Sequence, residues 1–187
     1  DLDATVDLNG NDQTVAQLKR GLPSPGNRLV TSAKPATLTV NQTSSSYYYD
    51  GAFGGALSLV KSGAGTFYLL GTNSTYTGET RITGGTLRVE PSANLGDSGH
   101  IKVDGGTLRL RNASCISDAA GLAIAASGAV VSIDAGLVET VKTLRIGGVL
   151  MRRGTYGATG SGANVTDDTH FSGTGQINVL RGTESVI

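Results

Sequence analysis

Gly84-Gly85-Thr86-Leu87-Arg88-Val89 returns as Gly105-Gly106-Thr107-Leu108-Arg109-Leu110, with Thr86 and Thr107 21 residues apart. A looser copy, Gly63-Ala64-Gly65-Thr66-Phe67-Tyr68-Leu69, stands 20 residues upstream. A further variant, Gly128-Ala129-Val130-Val131-Ser132-Ile133, follows roughly one period downstream. Each copy joins a glycine-rich turn to a short strand of alternating polarity. A period near 20 residues with one strong strand per repeat marks a solenoid, whereas a propeller blade needs about 40. The fold expected is therefore an all-β parallel β-helix (a β-solenoid) with coils of about 20 residues.

Inward side chains of successive coils should form ladders, because strands stack about 4.8 Å apart. Leu87 is expected over Leu108, and Val89 over Leu110. Arg88 and Arg109 then point outward by the period-2 rule. Short apolar alternations recur elsewhere, among them 28–31, 36–40, 57–60, 79–83, 100–103, 122–125, 143–146, 149–151 and 176–180. Together they predict roughly seven to nine coils, stabilised by neighbour stacking. Residues 1–187 read as one domain, with a repeat core over about 57–151 and looser terminal coils at 1–56 and 152–187. Three prolines (Pro23, Pro25, Pro35) and Gly26 mark 21–35 as the expected protruding loop.

Composition narrows the function classes. There are 28 Gly in 187 residues, about twice the usual 7% share, while Ser, Thr and Asn crowd the turns. Fifteen basic residues balance fifteen acidic ones. A neutral chain has no electrostatic drive toward nucleic acid or anionic membranes. No run approaches the ~18 apolar residues of a membrane span. Asp1 reads as the start of a mature or excised chain. The lone Cys115 rules out an internal disulfide and is expected as a small buried residue.

A longer phrase surrounds the first repeat. Lys61-Ser62-Gly63-Ala64-Gly65-Thr66 leads to Leu70-Gly71-Thr72-Asn73-Ser74-Thr75-Tyr76-Thr77-Gly78-Glu79-Thr80 and closes on Ile82-Thr83-Gly84-Gly85-Thr86-Leu87. This phrase resembles the autotransporter-associated β-strand repeat of bacterial passenger domains. Flanking segments 8–15 and 154–175 resemble its usual opening and closing stretches. The resemblance implies a right-handed parallel β-helix, exported by a bacterium to the cell surface or beyond. It implies a scaffold or stalk beside adhesins and polysaccharide-degrading enzymes rather than a particular activity, and it gives Tyr76 a structural turn role.

The residues themselves leave a few candidate sites. Tyr47, Tyr48 and Tyr49 form the densest aromatic cluster. In a strand Tyr47 and Tyr49 share one face and Tyr48 takes the other. An exposed pair could stack on sugar rings, join a self-association patch or simply cover a coil end. Asp167, Asp168 and His170 form the acid-rich cluster with a His, expected to cap turns rather than hold a metal. Arg88, Arg109, Arg111, Lys102 and Arg145 could make an outward cationic stripe for acidic polysaccharide, with Glu79, Glu90, Asp104 and Asp134 expected to neutralise it. Neither paired catalytic acids nor a nucleophile with its base is evident, so no enzyme activity, metal or cofactor is expected. Two functions follow as expectations. One is an extracellular structural or adhesive solenoid that could self-assemble by stacking terminal coils end to end. The other is a carbohydrate-binding module attached to polysaccharide-degrading machinery, its partner a surface polysaccharide.

Overall fold

In the computed structural model, which describes residues 4–20, 28–44 and 46–183, the repeat phrases stack as expected. Among the described residues every regular element is a strand, and no helix is long and apolar enough to cross a membrane. Parallel strands build a β-solenoid of about six turns, roughly 21 residues each. The seven to nine coils read from the sequence were too many. Some apolar runs share a coil, and others belong to an irregular C-terminal closure.

The first face is a long sheet. It carries β1 (Ala4–Asp7), β2 (Gln13–Val15), β3 (Arg28–Asn41), β5 (Ala52–Ser62), β7 (Thr80–Ile82), β9 (His100–Val103), β11 (Gly121–Ile124), β14 (Thr143–Ile146) and β15 (Val149–Leu150). Two runs read separately, 28–31 and 36–40, are one strand, β3, whose pairing with β5 shifts register between Ser32 and Ala36. Of the expected loop at 21–35, residues 28–35 therefore belong to β3; residues 21–27 lie outside the described residues. The second face carries β4 (Ser46–Tyr49), β6 (Thr66–Leu69), β8 (Thr86–Val89), β10 (Gly106–Leu110), β12 (Ala129–Ile133) and β18 (Phe171–Gly173).

Register converts the repeat into a core. On the second face Phe67, Leu87, Leu108, Val131 and Phe171 stand in one inward ladder, and Leu69, Val89, Leu110 and Ile133 in the next. All are essentially inaccessible to solvent. Burying each such side chain stabilises the fold by about 1.5–3 kcal/mol before entropy is counted. Second glycines of the Gly-Gly pairs carry the turn. Gly85 and Gly106 have φ of 62° and 75°. A Cβ on Gly106 would lie 2.3 Å from the Gly85 carbonyl oxygen. Both the left-handed backbone and the close coil contact thus demand glycine.

The first face has two polar members in its inward ladders. Leu38, Leu59, Thr80, Ile101, Leu122 and Leu144 form one row, and Val40, Lys61, Ile82, Val103 and Ile124 the other. Thr80 is buried because its hydroxyl meets Tyr76 Oη at 2.6 Å, and Tyr76 itself has no exposure. Lys61 is fully buried too, and its ammonium donates to the carbonyls of Ser62 (2.7 Å), Gly63 (2.8 Å) and Gly84 (3.1 Å). It ties the turn of one coil to the turn of the next. Burial pushes the Lys61 ammonium down to about 8.

A third side is mostly knitted by side chains. The Asn94 side-chain amide accepts from the Ser74 N–H (3.0 Å) and donates to the Ser74 carbonyl (3.1 Å), and the Asn112 side chain donates to the carbonyls of Glu90 and Ala93. One coil further on, Glu139 accepts from the Ile116 N–H (2.9 Å) and from the Cys115 thiol (3.6 Å). Cys115 is buried as expected. Strands cover this side at its two ends, where the first parts of β3 and β5 pair beside β1 and where β13 (Val138–Val141) pairs with β19 (Gln176–Val179). At the latter end the chain reverses. β14 turns through Gly147 and Gly148 into antiparallel β15, and β16 (Gly154–Gly157) runs antiparallel to β19 with β17 (Val165–Thr166) beside it. The run 149–151 is thus the return arm of a hairpin rather than a coil strand.

Two predictions follow from the buried charges. Lys61→Met keeps the volume but leaves carbonyls without donors, and an unsatisfied buried group costs about 1–3 kcal/mol. Urea unfolding should show a loss of at least ~2 kcal/mol. Glu139 has its carboxyl pushed up to about 7, chiefly by burial, against the opposing bonds from Ile116 and Cys115. A raised folded-state pKa means the native state binds more protons between the ordinary carboxyl value of 4.5 and 7. That stability is complete below 4.5 and is lost as pH rises through 7. Thermal melts should therefore fall between pH 5 and 7.5, and Glu139→Gln should flatten the decline. Lys61 does not interfere, because its own window opens only near 8.

Candidate ligand-binding surface

The aromatic cluster divides across the sheet. Tyr47 and Tyr49 head the two inward ladders of the second face, opposite Phe67 and Leu69. Tyr49 is 3% exposed and packs on Phe53 and Phe67, with centroids 5.2 and 6.4 Å away. The expectation of an exposed Tyr47–Tyr49 pair is corrected by this register. Their shared face is the core side, and Tyr47 is half-buried with Lys19 Nζ 4.1 Å over its ring. Tyr48 is the outward member, 44% exposed.

Tyr48 opens a row that runs the whole second face. Register aligns Tyr48, Tyr68, Arg88, Arg109, Ser132 and Ser172 on successive strands. Tyr48 stacks on Tyr68 at 4.3 Å with planes 26° apart, and Arg88 Cζ lies 5.0 Å from the Tyr68 centroid. Tyr68 thus has Tyr48 and Arg88 against its ring, while Tyr48 keeps 44% of its surface exposed. A shallow groove of about 270 Å³ follows this row, bordered by the hydroxyls of Thr66, Thr86 and Thr107. Steps of 20, 20 and 21 residues separate Tyr48, Tyr68, Arg88 and Arg109. Carrying the Gly-Gly-Thr period back to Tyr48 would have disclosed the row.

The cations do not make one stripe. Arg88, Arg109 and Arg111 lie on the second face, and each finds an acid. Arg88 Nε is 2.6 Å from Glu90, Arg111 reaches Glu90 (2.7 Å) and Asp134 (3.0 Å), and Arg109 reaches Asp134 (2.9 Å). Partial burial works to raise the Asp134 carboxyl, but the two guanidiniums hold it below its ordinary range. Exposed pairs of this kind contribute about 0–1 kcal/mol each, so their main effect is to cancel the local field. Lys102 and Arg145 lie on the first face, each in register with Ala123 between them.

The acid-rich cluster serves its own backbone. Asp167 accepts from the N–H groups of Thr169 and His170 and from His170 Nδ1 at 2.6 Å. Its partial burial is outweighed by those bonds, which keep the carboxyl low. The other His170 nitrogen faces the Ala126 carbonyl at 3.3 Å, and Asp168 accepts from the backbone and hydroxyl of Thr159. Glu139 burdens the Cys115 thiol further. Burial, then the neighbouring carboxylate, push its pKa well up, so it stays a protonated, unreactive thiol.

Comparison with known proteins agrees with this geometry. Residues 59–89, which span β6, β7 and β8, match the passenger-associated-transport-repeat family. Over 130 residues the chain is 35% identical to the adhesin BmaC autotransporter of Brucella suis biovar 1 (strain 1330). That alignment covers 68% of this chain and 4% of the adhesin, so the chain spans only a small part of that relative's length. No solved structure matches significantly. With its stacked coils and the repeat of 59–89, the chain is a repeat protein of the autotransporter passenger type.

Proposed function

We propose that this chain is a non-catalytic stretch of an exported bacterial surface protein, an extracellular β-solenoid whose outward side chains form an adhesive surface. The observation that carries this reading is the 35% identity to an autotransporter adhesin, which runs over most of the chain. The fold supports it, because the inward ladders are mostly apolar and continuous while the outward side chains are not needed by the core. Groups that often do chemistry are engaged internally. Cys115 is buried, and Asp167, Asp168 and His170 bond to nearby turns. Beads coated with the purified chain should adhere to cultured epithelial monolayers severalfold better than albumin-coated beads. Equal retention of the two would overturn the adhesive reading.

Two finer readings concern what the surface meets. A polysaccharide partner is favoured by the exposed ring of Tyr48, stacked on Tyr68, which itself lines the groove with the hydroxyl row of Thr66, Thr86 and Thr107. Loss of one aromatic stacking partner removes about 0.5–1.5 kcal/mol. Tyr48→Ala should therefore weaken retention on a neutral glycan matrix severalfold if this row binds sugar. Tyr49→Ala tests only folding, because that ring is in the core. End-to-end assembly into fibres is the weaker reading. A non-closing heterologous contact needs a receptive edge at both ends, and the antiparallel strands β15 and β16 interrupt parallel stacking at the C-terminal end.

A further inference from the structure

We propose that the outer face of β11 is a docking groove for an anionic glycan chain, held between Lys102 on β9 and Arg145 on β14. This inference deepens the adhesive reading and rests on it.

Register places Lys102, Ala123 and Arg145 directly opposite one another on three adjacent strands. Two strand spacings separate the cations, about 10 Å at the backbone. Between them β11 presents only Gly121 and Ala123, followed by Ala125, so the sheet surface dips. Two adjoining hollows of about 380 and 410 Å³ open there, and both are lined by Lys102, Ala123 and Arg145. On the second face the hollow along Arg88 and Arg109 is smaller, about 270 Å³, and both cations there are paired with acids.

Charge is what distinguishes this groove. Arg28, Arg81, Arg88, Arg109 and Arg111 all form ion pairs with Asp or Glu. Among the described residues the Lys102 side chain makes no hydrogen bond or ion pair, and the Arg145 side chain donates only to the Gly148 carbonyl of its own hairpin (3.0 Å). Other titratable groups at the groove are few. Glu79 and His100 line one end, and Asp104 lines the other, where Arg81 already holds it at 2.6 Å. Two facing cations over a low-dielectric floor concentrate a positive potential between them. An acidic group placed there interacts with both.

The shape selects the class of anion. The groove is open along its length and floored by C–H groups, which suits a sugar ring carrying a carboxylate or sulfate. A peptide strand cannot add to β11, because both its backbone edges are already paired with β9 and β14. A single-stranded nucleic acid is a poorer fit, since no Phe, Tyr or Trp side chain lines the groove for base stacking.

The test is a titration of the purified full chain with polygalacturonate, which carries carboxylates, and dextran sulfate, which carries sulfates. Neutral dextran and poly-dT serve as comparisons. At least one acidic glycan should bind, with affinity falling as salt rises, and the tighter of the two identifies the preferred group. The double variant Lys102→Gln/Arg145→Gln should lose at least tenfold in affinity. Ala123→Gln, which fills the floor without changing charge, should also weaken binding, while Lys34→Gln, a charge removal elsewhere, should not. Failure of both acidic glycans to bind, undiminished binding by the double variant, or equal affinity for poly-dT would each overturn the proposal. Bead adhesion keeps the two readings apart. A parent chain that fails to adhere counts against the adhesive function, whereas adhesion with an indifferent double variant counts against this groove alone.

Discussion

Parallel backbone pairing between identical positions of successive coils is the constraint on which the rest of this protein depends. A strand in one coil has no partner within that coil. Its N–H and C=O groups are satisfied only by the coils above and below, so successive coils must keep their strands in register, at roughly 21 residues per turn. A one-residue slip of that register would move inward side chains to the outside, since side chains alternate with period 2. The Gly-Gly turns hold one corner of successive coils in that register, and their left-handed second glycines leave room for the carbonyl of the neighbouring coil. Lys61 adds a cross-coil tie at the same corner, its ammonium bridging carbonyls of two turns. A buried charge is normally costly, but three acceptors within hydrogen-bond distance offset much of the desolvation.

Where no strand covers the third side, side-chain amides and carboxyls take over the backbone's hydrogen bonding. Asn94, Asn112 and Glu139 each reach a main-chain group that a continuous sheet would have paired. These substitutions allow corners of uneven length while leaving few buried polar groups without partners. The same logic explains the C-terminal change of style. Once the chain reverses at Gly147-Gly148, the antiparallel strands use up edges that parallel stacking would otherwise leave open.

Because the core is made from inward positions only, outward positions are released from folding and can differ between faces. One face alternates arginines with acids, and its field largely cancels. The other leaves Lys102 and Arg145 facing across a low strand. A neutral total charge therefore conceals an uneven surface, and binding specificity in such a rod resides in which coils carry which outward residues.

The repeated Gly-Gly-Thr-Leu-Arg phrase by itself determined the all-β solenoid, the coil length and the stacked pairs Leu87–Leu108 and Val89–Leu110, because a short exact period leaves the chain few ways to bury its apolar residues. It also determined the outward direction of Arg88 and Arg109. Periodicity could say that Tyr47 and Tyr49 share a face, but not which face, since three consecutive tyrosines carry no polarity alternation. Only stacking onto Phe67 and Leu69 assigned that pair to the core and Tyr48 to the surface. The number of turns, the merging of 28–41 into one strand and the antiparallel closure likewise depended on contacts between residues far apart in the chain. So did the separation of Lys102 and Arg145 from the other cations, which arises because coils place residues of adjacent sequence on different faces. Local pattern dictates which side chains alternate; only the closed coil decides what each one meets.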